Sequence, residues 1–228
     1  MSRLERPFVW LGGALFVASL AVCAWSFLFR WSHPSAVHVR WPVFLADALL
    51  FSVFAAHHSV LARKDIKAGL ASVVPERLLR SVYVWTASVL FLIVFALWQP
   101  VGGNPYHVTG WRAVAHACIQ LGGLWLIGRS VGTIDPLELA GIRRHAPSEG
   151  LQITGPYRWV RHPLYLGWLM AVFGAAHMTG DRLAFAVTSS MYLFIAIPWE
   201  ERSLVSTFGK QYEDYQHQVR WRVVPFVY

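Results

Sequence analysis

The chain has 228 residues, of which 56% are hydrophobic and 14% charged. A soluble domain carries about 25% charged residues, so a soluble globular protein is excluded. The net charge of +8 is spread between apolar stretches with no Lys/Arg run interleaved with aromatics, which sets nucleic-acid binding aside. Two cysteines, Cys23 and Cys118, both inside apolar stretches, exclude a disulfide framework.

In chain order, apolar runs long enough to span a bilayer fall at 8–29, 42–62, 81–98, 113–134, 164–180 and 183–199; a span needs about 20 residues. The first run follows Arg3 and Arg6 and is too long for a signal-peptide core, so it reads as a retained helix. The second carries Asp47 and, near its cytoplasmic end, the pair His57, His58; the fourth carries His116 and Gln120, and the fifth His177. Ionisable groups inside a membrane are costly and stand as functional candidates. Gly122, Gly123 and Gly128 have no preceding strand, so they predict close helix packing rather than a nucleotide loop. Only Thr179-Gly180-Asp181-Arg182 separates the last two runs, which predicts a tight helical hairpin; Pro136 and Pro198 fall near span ends. The segment Glu200–His217 mixes apolar and charged residues as a surface-lying amphipathic helix does.

Sixteen of the 20 Lys and Arg residues then fall on one side of the six spans, and that side is the cytoplasmic one. The expected fold class is all-α: a polytopic integral membrane protein, one domain over 1–228, with about six transmembrane helices, a C-terminal helical hairpin, a cytoplasmic amphipathic tail helix and both termini cytoplasmic.

Two clusters could carry chemistry. In Gly155–Gly167, His162 stands where a loop enters a helix and Pro163 suits the first helical position. The free N–H groups of such a helix start suit a carboxylate, although a basic-aromatic collar at a membrane interface has the same composition. Glu200-Glu201 follows the last run, and paired carboxylates beside low-dielectric lipid attract a cation; a solvated helix start is the bland alternative. Together the clusters suit a zwitterionic, cationic cofactor, or a lipid headgroup. There is no zinc spacing and no Ser-His-Asp pattern.

The run Gly155–Gly167, centred on Arg161-His162-Pro163-Leu164-Tyr165, with Glu200-Glu201, Phe208-Gly209, Tyr212, Tyr215 and Pro225, resembles the isoprenylcysteine carboxyl methyltransferase and phospholipid methyltransferase superfamily over about the last 80 residues. That resemblance implies S-adenosylmethionine at the cytoplasmic face, in a cofactor-binding part of about 149–228. Glu149, Gly150, Leu151 and Gln152 lead into the motif, Tyr157, His162, Pro163, Leu164 and Tyr165 form its core, and Glu200 with Glu201 supplies its acidic position. Arg161 joins the catalytic candidates.

Prenylcysteine-type members carry an Arg shortly before the acidic pair. Ile195–Trp199 holds none, which argues against carboxyl methylation of a prenylated protein. The N-terminal half, Phe54–Arg63 with Pro75-Glu76-Arg77 and Ser81-Val82-Tyr83, is similar to bacterial methanethiol S-methyltransferases and NnrU-like membrane proteins, as is Ile134–Gly141. This implies a bacterial inner-membrane location and a thiol acceptor. A thiolate is the nucleophile, so His57 and His58 are candidate bases. The acceptor is a small thiol, a lipid or a lipidated molecule, with membrane lipid as surroundings. Open alternatives are an NADPH-dependent membrane reductase of related architecture and a non-enzymatic transporter or lipid-binding scaffold.

Overall fold

The computed structural model describes the chain apart from residues 1–2, 4, 36, 61–65, 67–68, 134–135 and 144–149. Helices stand at all six places marked by the apolar runs. In chain order they are α1 (Glu5–Leu28), α2 (Trp41–Val60), α3 (Leu79–Leu97), α4 (Gly110–Val131), the one-turn α5 (Pro136–Leu139), α6 (Pro163–Phe173), α7 (Gly180–Phe208) and the tail helix α8 (Lys210–Gln218). Among the described residues the only strands, β1 (Tyr106–His107) and β2 (His177–Met178), pair antiparallel with His107 opposite His177.

Among the described residues four helical stretches are long and apolar enough to cross a membrane: Glu5–Ser32, Trp41–Val60, Glu76–Leu97 and Gly180–Phe208. Their outer faces show large apolar side chains such as Trp10, Val17, Leu45 and Leu49, while Ser19, Ser26, Asp47, Ser81 and Ser88 are buried. That inversion suits lipid as the solvent, because helices in a membrane associate through small and polar residues. α4 has 22 residues, but Arg112, His116, Gln120 and Arg129 make it less apolar. α6 has 11 residues, about 16 Å at 1.5 Å per residue, half of a hydrocarbon core about 30 Å thick. The six expected crossings thus become four helices that qualify by length and composition.

The described chain forms two compact units. The first comprises Met1–Gly103, Pro136–Ala146 and Thr179–Ala184. In it α3 packs against both α1 and α2. Gly12 makes room for this, since a Cβ there would lie 2.7 Å from the Trp85 indole; Trp85 stacks on Phe8 and donates from Nε1 to Phe8 O at 2.9 Å. One end of the unit is closed by guanidinium groups on helix C-termini. Arg30 Nη1 donates to Phe95 O at 2.6 Å, Arg182 donates from Nε to Phe27 O at 2.7 Å and from Nη2 to Leu28 O at 2.8 Å, and Arg40 donates to Pro100 O. The last carbonyls of a helix lack partners and carry partial negative charge, so cations satisfy both needs there. Asp47 Oδ1 accepts from Gln99 N at 3.1 Å, and Asp181 Oδ1 accepts from Trp98 Nε1 and Val101 N at 3.0 and 2.9 Å. Asp47 therefore holds the loop after α3.

The second unit comprises Asn104–Asp135, Pro147–Met178 and Phe185–Tyr228. Here α6 lies directly on α4. A Cβ on Gly123 would sit 2.6 Å from both Ala171 N and Gly167 O, and one on Gly167 would sit 2.8 Å from Gly123 O. Gln120 Nε2 donates to Ala171 O across the same seam at 2.8 Å. The close packing read from the glycines holds for Gly123, whereas Gly128 faces open space.

Three expectations are corrected. The backbone partner of α6 is α4, and α7 reaches α6 through side chains, such as Trp168 Nε1 donating to Ser189 Oγ at 3.0 Å. Gly180-Asp181-Arg182, read as the hairpin turn, instead begins α7, with the turn at 174–179. α7 also runs through Pro198 and both glutamates to Phe208, so the tail helix starts only at Lys210. Gly209, with φ +55°, breaks the two apart in a backbone conformation that suits glycine.

Candidate active site

The second unit gathers the motif residues around the start of α6. Gly155, at φ +59°, opens a 3-10 turn over Gly155–Arg158, and Val160 is fully buried behind it. The next two amides bond the C-terminal tail: Arg161 N donates to Trp221 O at 2.9 Å and His162 N to Arg222 O at 2.7 Å. Pro163 then occupies the first position of α6, where its missing N–H costs nothing. Tyr165 and Leu166 donate their amides to His162 O. The amide of Leu164 has no partner among the described residues.

The neighbouring glutamates face different surroundings. Glu201 is buried, and its Oε1 accepts from Arg161 Nε at 2.6 Å and lies 3.4 Å from His162 Nε2. Its Oε2 accepts from Arg222 Nε at 3.2 Å and Gln216 Nε2 at 3.4 Å. Arg161 is further held by donating Nη1 to Val219 O and Arg220 O at 2.8 and 2.9 Å. Arg222 Nη1 donates to the Tyr228 hydroxyl at 2.9 Å. Glu201 is thus a hub that joins the motif loop, α7 and the tail.

Glu200 lies about 100° further round the helix, and its side chain is 44% exposed. Tyr165 donates its hydroxyl to Glu200 Oε2 at 2.7 Å, and its ring lies parallel to His162 at 5.3 Å. His162 Nδ1 is 3.7 Å from Glu200 Oε2. His162, Tyr165 and Glu200 therefore form a ladder that ends in a half-exposed carboxylate. Behind it, Tyr215 donates to Tyr157 O at 2.7 Å and docks α8. Burial pushes the hydroxyls of Tyr157, Tyr212 and Tyr215 up, so all three stay protonated. A cavity of about 330 Å³ opens on the other flank of Glu201, lined by Pro198, Arg202, Val205, Gln216 and Arg222.

The remaining candidates are placed as follows. Gly150 and Gln152 are exposed and Leu151 is half-buried in the extended segment leading to the motif; Glu149 lies outside the described residues. His57 and His58 stand in the last turn of α2, in the first unit. His58 Nδ1 is 2.7 Å from the Tyr83 hydroxyl, and its ring tilts against Phe54 at 5.7 Å. His57 stacks on Tyr83 at 6.3 Å, and neither of its ring nitrogens has a partner.

The donor set around α6 fits S-adenosylmethionine in kind. Glu200 offers negative charge to a sulfonium or an amine, and the open Leu164 amide at a helix N-terminus offers a donor to a carboxylate. Among the described residues no three His, Cys, Asp or Glu gather as a metal site.

Residues 115–211 match the phospholipid methyltransferase family. The chain is 37% identical to a methanethiol S-methyltransferase of Pseudomonas deceptionensis over 78% of this chain and 72% of that protein. It is 32% identical to a methanethiol S-methyltransferase of Crocosphaera subtropica over 99% of this chain and 95% of that protein. The chain belongs to the methanethiol S-methyltransferase family. A shorter similarity, 40% identity over 32% of this chain and 27% of the other, reaches a protein-S-isoprenylcysteine O-methyltransferase of Tribolium castaneum, within the wider superfamily that the motif residues resemble. No solved structure matches the chain. Membership in this family carries the general activity, methyl transfer by a protein with membrane helices.

Sequence reasoning missed Arg222, Gln216, Tyr228 and Tyr83. The basic-aromatic tail Arg220-Trp221-Arg222 was a usable signal, because Arg222 ends a chain otherwise apolar to Tyr228. Tyr83 lies 25 residues from His58, and nothing in local spacing links them.

Proposed function

We propose that this protein transfers a methyl group from S-adenosylmethionine to a small thiol at the cytoplasmic face of a bacterial inner membrane, with both termini cytoplasmic. The observation that carries the reading is the half-exposed Glu200, braced by Tyr165 and His162 beside the open amide of Leu164, in a chain that matches a methanethiol S-methyltransferase of Crocosphaera subtropica over 95% of that protein. The cofactor supplies an activated methyl, already on a positively charged sulfur. Glu200 binds positive charge, Leu164 N binds a carboxylate, Tyr157 and Gly150–Gln152 border the cofactor, and Arg161 with Glu201 fixes the His162 ring. Because the methyl is already activated, alignment of acceptor and methyl is the main task of the protein. His57 and His58 serve the acceptor as proton-accepting groups, because the thiolate is the nucleophile. A membrane-embedded chain suits an apolar, volatile thiol.

Equilibrium binding of S-adenosylmethionine and S-adenosylhomocysteine to detergent-purified protein tests the reading, with NADPH as the control. Saturable binding of the first two is expected, weakened at least tenfold in Glu200→Gln while the melting temperature stays close to that of the parent. Binding of NADPH alone, or of none of the three, overturns it.

A further inference from the structure

After Glu201 and its partners are accounted for, the turn Val223–Tyr228 of the second unit remains. It does not lead away into water. From Arg222, which bonds Glu201, the chain folds back along α7, and the Tyr228 ring meets Phe194 edge-on at 5.7 Å. Phe194 stands six residues before Glu200, about 9 Å along the helix at 1.5 Å per residue. That part of α7, from Met191 to Trp199, is apolar throughout, in a helix that qualifies to cross a membrane. At the tip of the turn Phe226 is 85% exposed and Val227 77%. Phe226 also holds φ +65°, a backbone conformation that a bulky residue rarely adopts. Strain of this kind persists where the surroundings impose it, and it gathers at clamps and contact sites.

The backbone of the turn decides what surrounds it. Irregular chain survives at membrane depth only where its polar groups are satisfied without water. Val223 N and Val224 N donate to Tyr228 O at 2.9 and 3.1 Å, and Val227 N and Tyr228 N donate to Val224 O at 3.1 and 3.0 Å. Pro225 has no N–H to satisfy. The turn thus bonds to itself and presents its apolar side chains outward, the reverse of a turn made for water. Ile195 and Trp199, exposed on α7 nearby, call for the same solvent. At the base of the turn Arg202 lies over the Trp199 ring at 4.9 Å and Arg222 over Tyr228 at 5.1 Å. Rings with long basic side chains reaching past them mark a headgroup boundary.

We propose that Val223–Tyr228 is a lipid-inserted turn, with Phe226 and Val227 seated among the acyl chains of the leaflet on the motif's side. The same tail supplies Trp221 O and Arg222 O to the amides of Arg161 and His162, so an anchored turn steadies the loop that carries the motif. The steadying role rests on the proposed cofactor site; the insertion does not.

Spin labels test the insertion in the full chain. Cys118, which is exposed, is replaced by Ser, and the buried Cys23 is kept. A nitroxide is attached at Phe226→Cys or Val227→Cys in vesicles of phosphatidylcholine and phosphatidylglycerol. Labels at the exposed Lys210 and at Leu49, on the outer face of α2, serve as the water and lipid references. Relaxation by oxygen, which concentrates in hydrocarbon, is compared with relaxation by a water-soluble nickel chelate. Labels at 226 and 227 should follow Leu49, with oxygen dominant. Nickel relaxation equal to that at Lys210 overturns the insertion. Dipolar broadening that disappears on dilution with unlabelled protein also overturns it, because a second copy then covers the turn. For the steadying role, Phe226→Asp combined with Val227→Asp should weaken binding of S-adenosylhomocysteine at least fivefold in the same vesicles, while Phe226→Leu stays within twofold. Unchanged binding in the double variant removes the steadying role. A parent that binds no S-adenosylhomocysteine removes the cofactor reading with it, and the label depths still decide the insertion.

Discussion

Residues 200 and 201 are both Glu, and position in the helix alone separates their roles. Glu201 turns inward, to two guanidinium groups and an imidazole, with its side chain 6% exposed. Removing one member of a buried ion pair leaves the other desolvated and unmatched, at about 3–5 kcal/mol. Glu201→Gln and Arg161→Ala are therefore expected to lower the melting temperature in detergent sharply, whether or not cofactor is present. Glu200→Gln should leave it nearly unchanged. A Glu201→Gln protein as stable as the parent would show that the hub is not a structural anchor. The acidic pair was legible in the sequence as a pair. The division between its members was not, because a helix rotates each residue by about 100° and only the packed neighbours decide which side is inside.

At the scale of elements, the seam between α4 and α6 depends on backbone contact at Gly123 and Gly167, and overpacking such a site costs about 1–3 kcal/mol. Gly123→Ala should destabilise by that amount, since its Cβ would meet Gly167 O and Ala171 N at 2.6 Å. Gly128→Ala should instead be neutral or stabilise by about 0.5–1 kcal/mol, because helical Gly costs conformational entropy and this position has open space. Thermal unfolding of both variants side by side checks the contrast; equal effects would contradict the close crossing. Apolar runs located a helix at each of their six places, five of them long, since a run of about 20 apolar residues has few other uses. They mislocated the last turn and the start of the tail helix. Hydropathy changes at Glu200, but the helix does not end there: the glutamates satisfy their charge against neighbouring residues, and only Gly209 breaks the backbone.

For the whole molecule, the positive-inside asymmetry sets the expected orientation. Reporter fusions at the N- and C-termini should both behave as cytoplasmic, with an active fluorescent protein and an inactive alkaline phosphatase at each end; either terminus outside would reverse the layout. Of the four basic residues that break the asymmetry, Arg30 and Arg182 seat on the C-terminal carbonyls of α3 and α1, and Arg40 bonds the loop at Pro100. On the expected layout, these three serve to close helix and loop ends. The sequence by itself determined the solvent, the places of the apolar helices, the methyltransferase resemblance and the stretch from Gly155 to Gly167 as its centre, because each rests on composition or on residues close in the chain. The tertiary structure decided that Glu201 anchors while Glu200 is presented, that Arg222 and Tyr228 complete the hub, and that Tyr83 locks His58 and leaves His57 unmatched. Those relations join residues tens of positions apart, and packing, not spacing, brings them within a hydrogen bond.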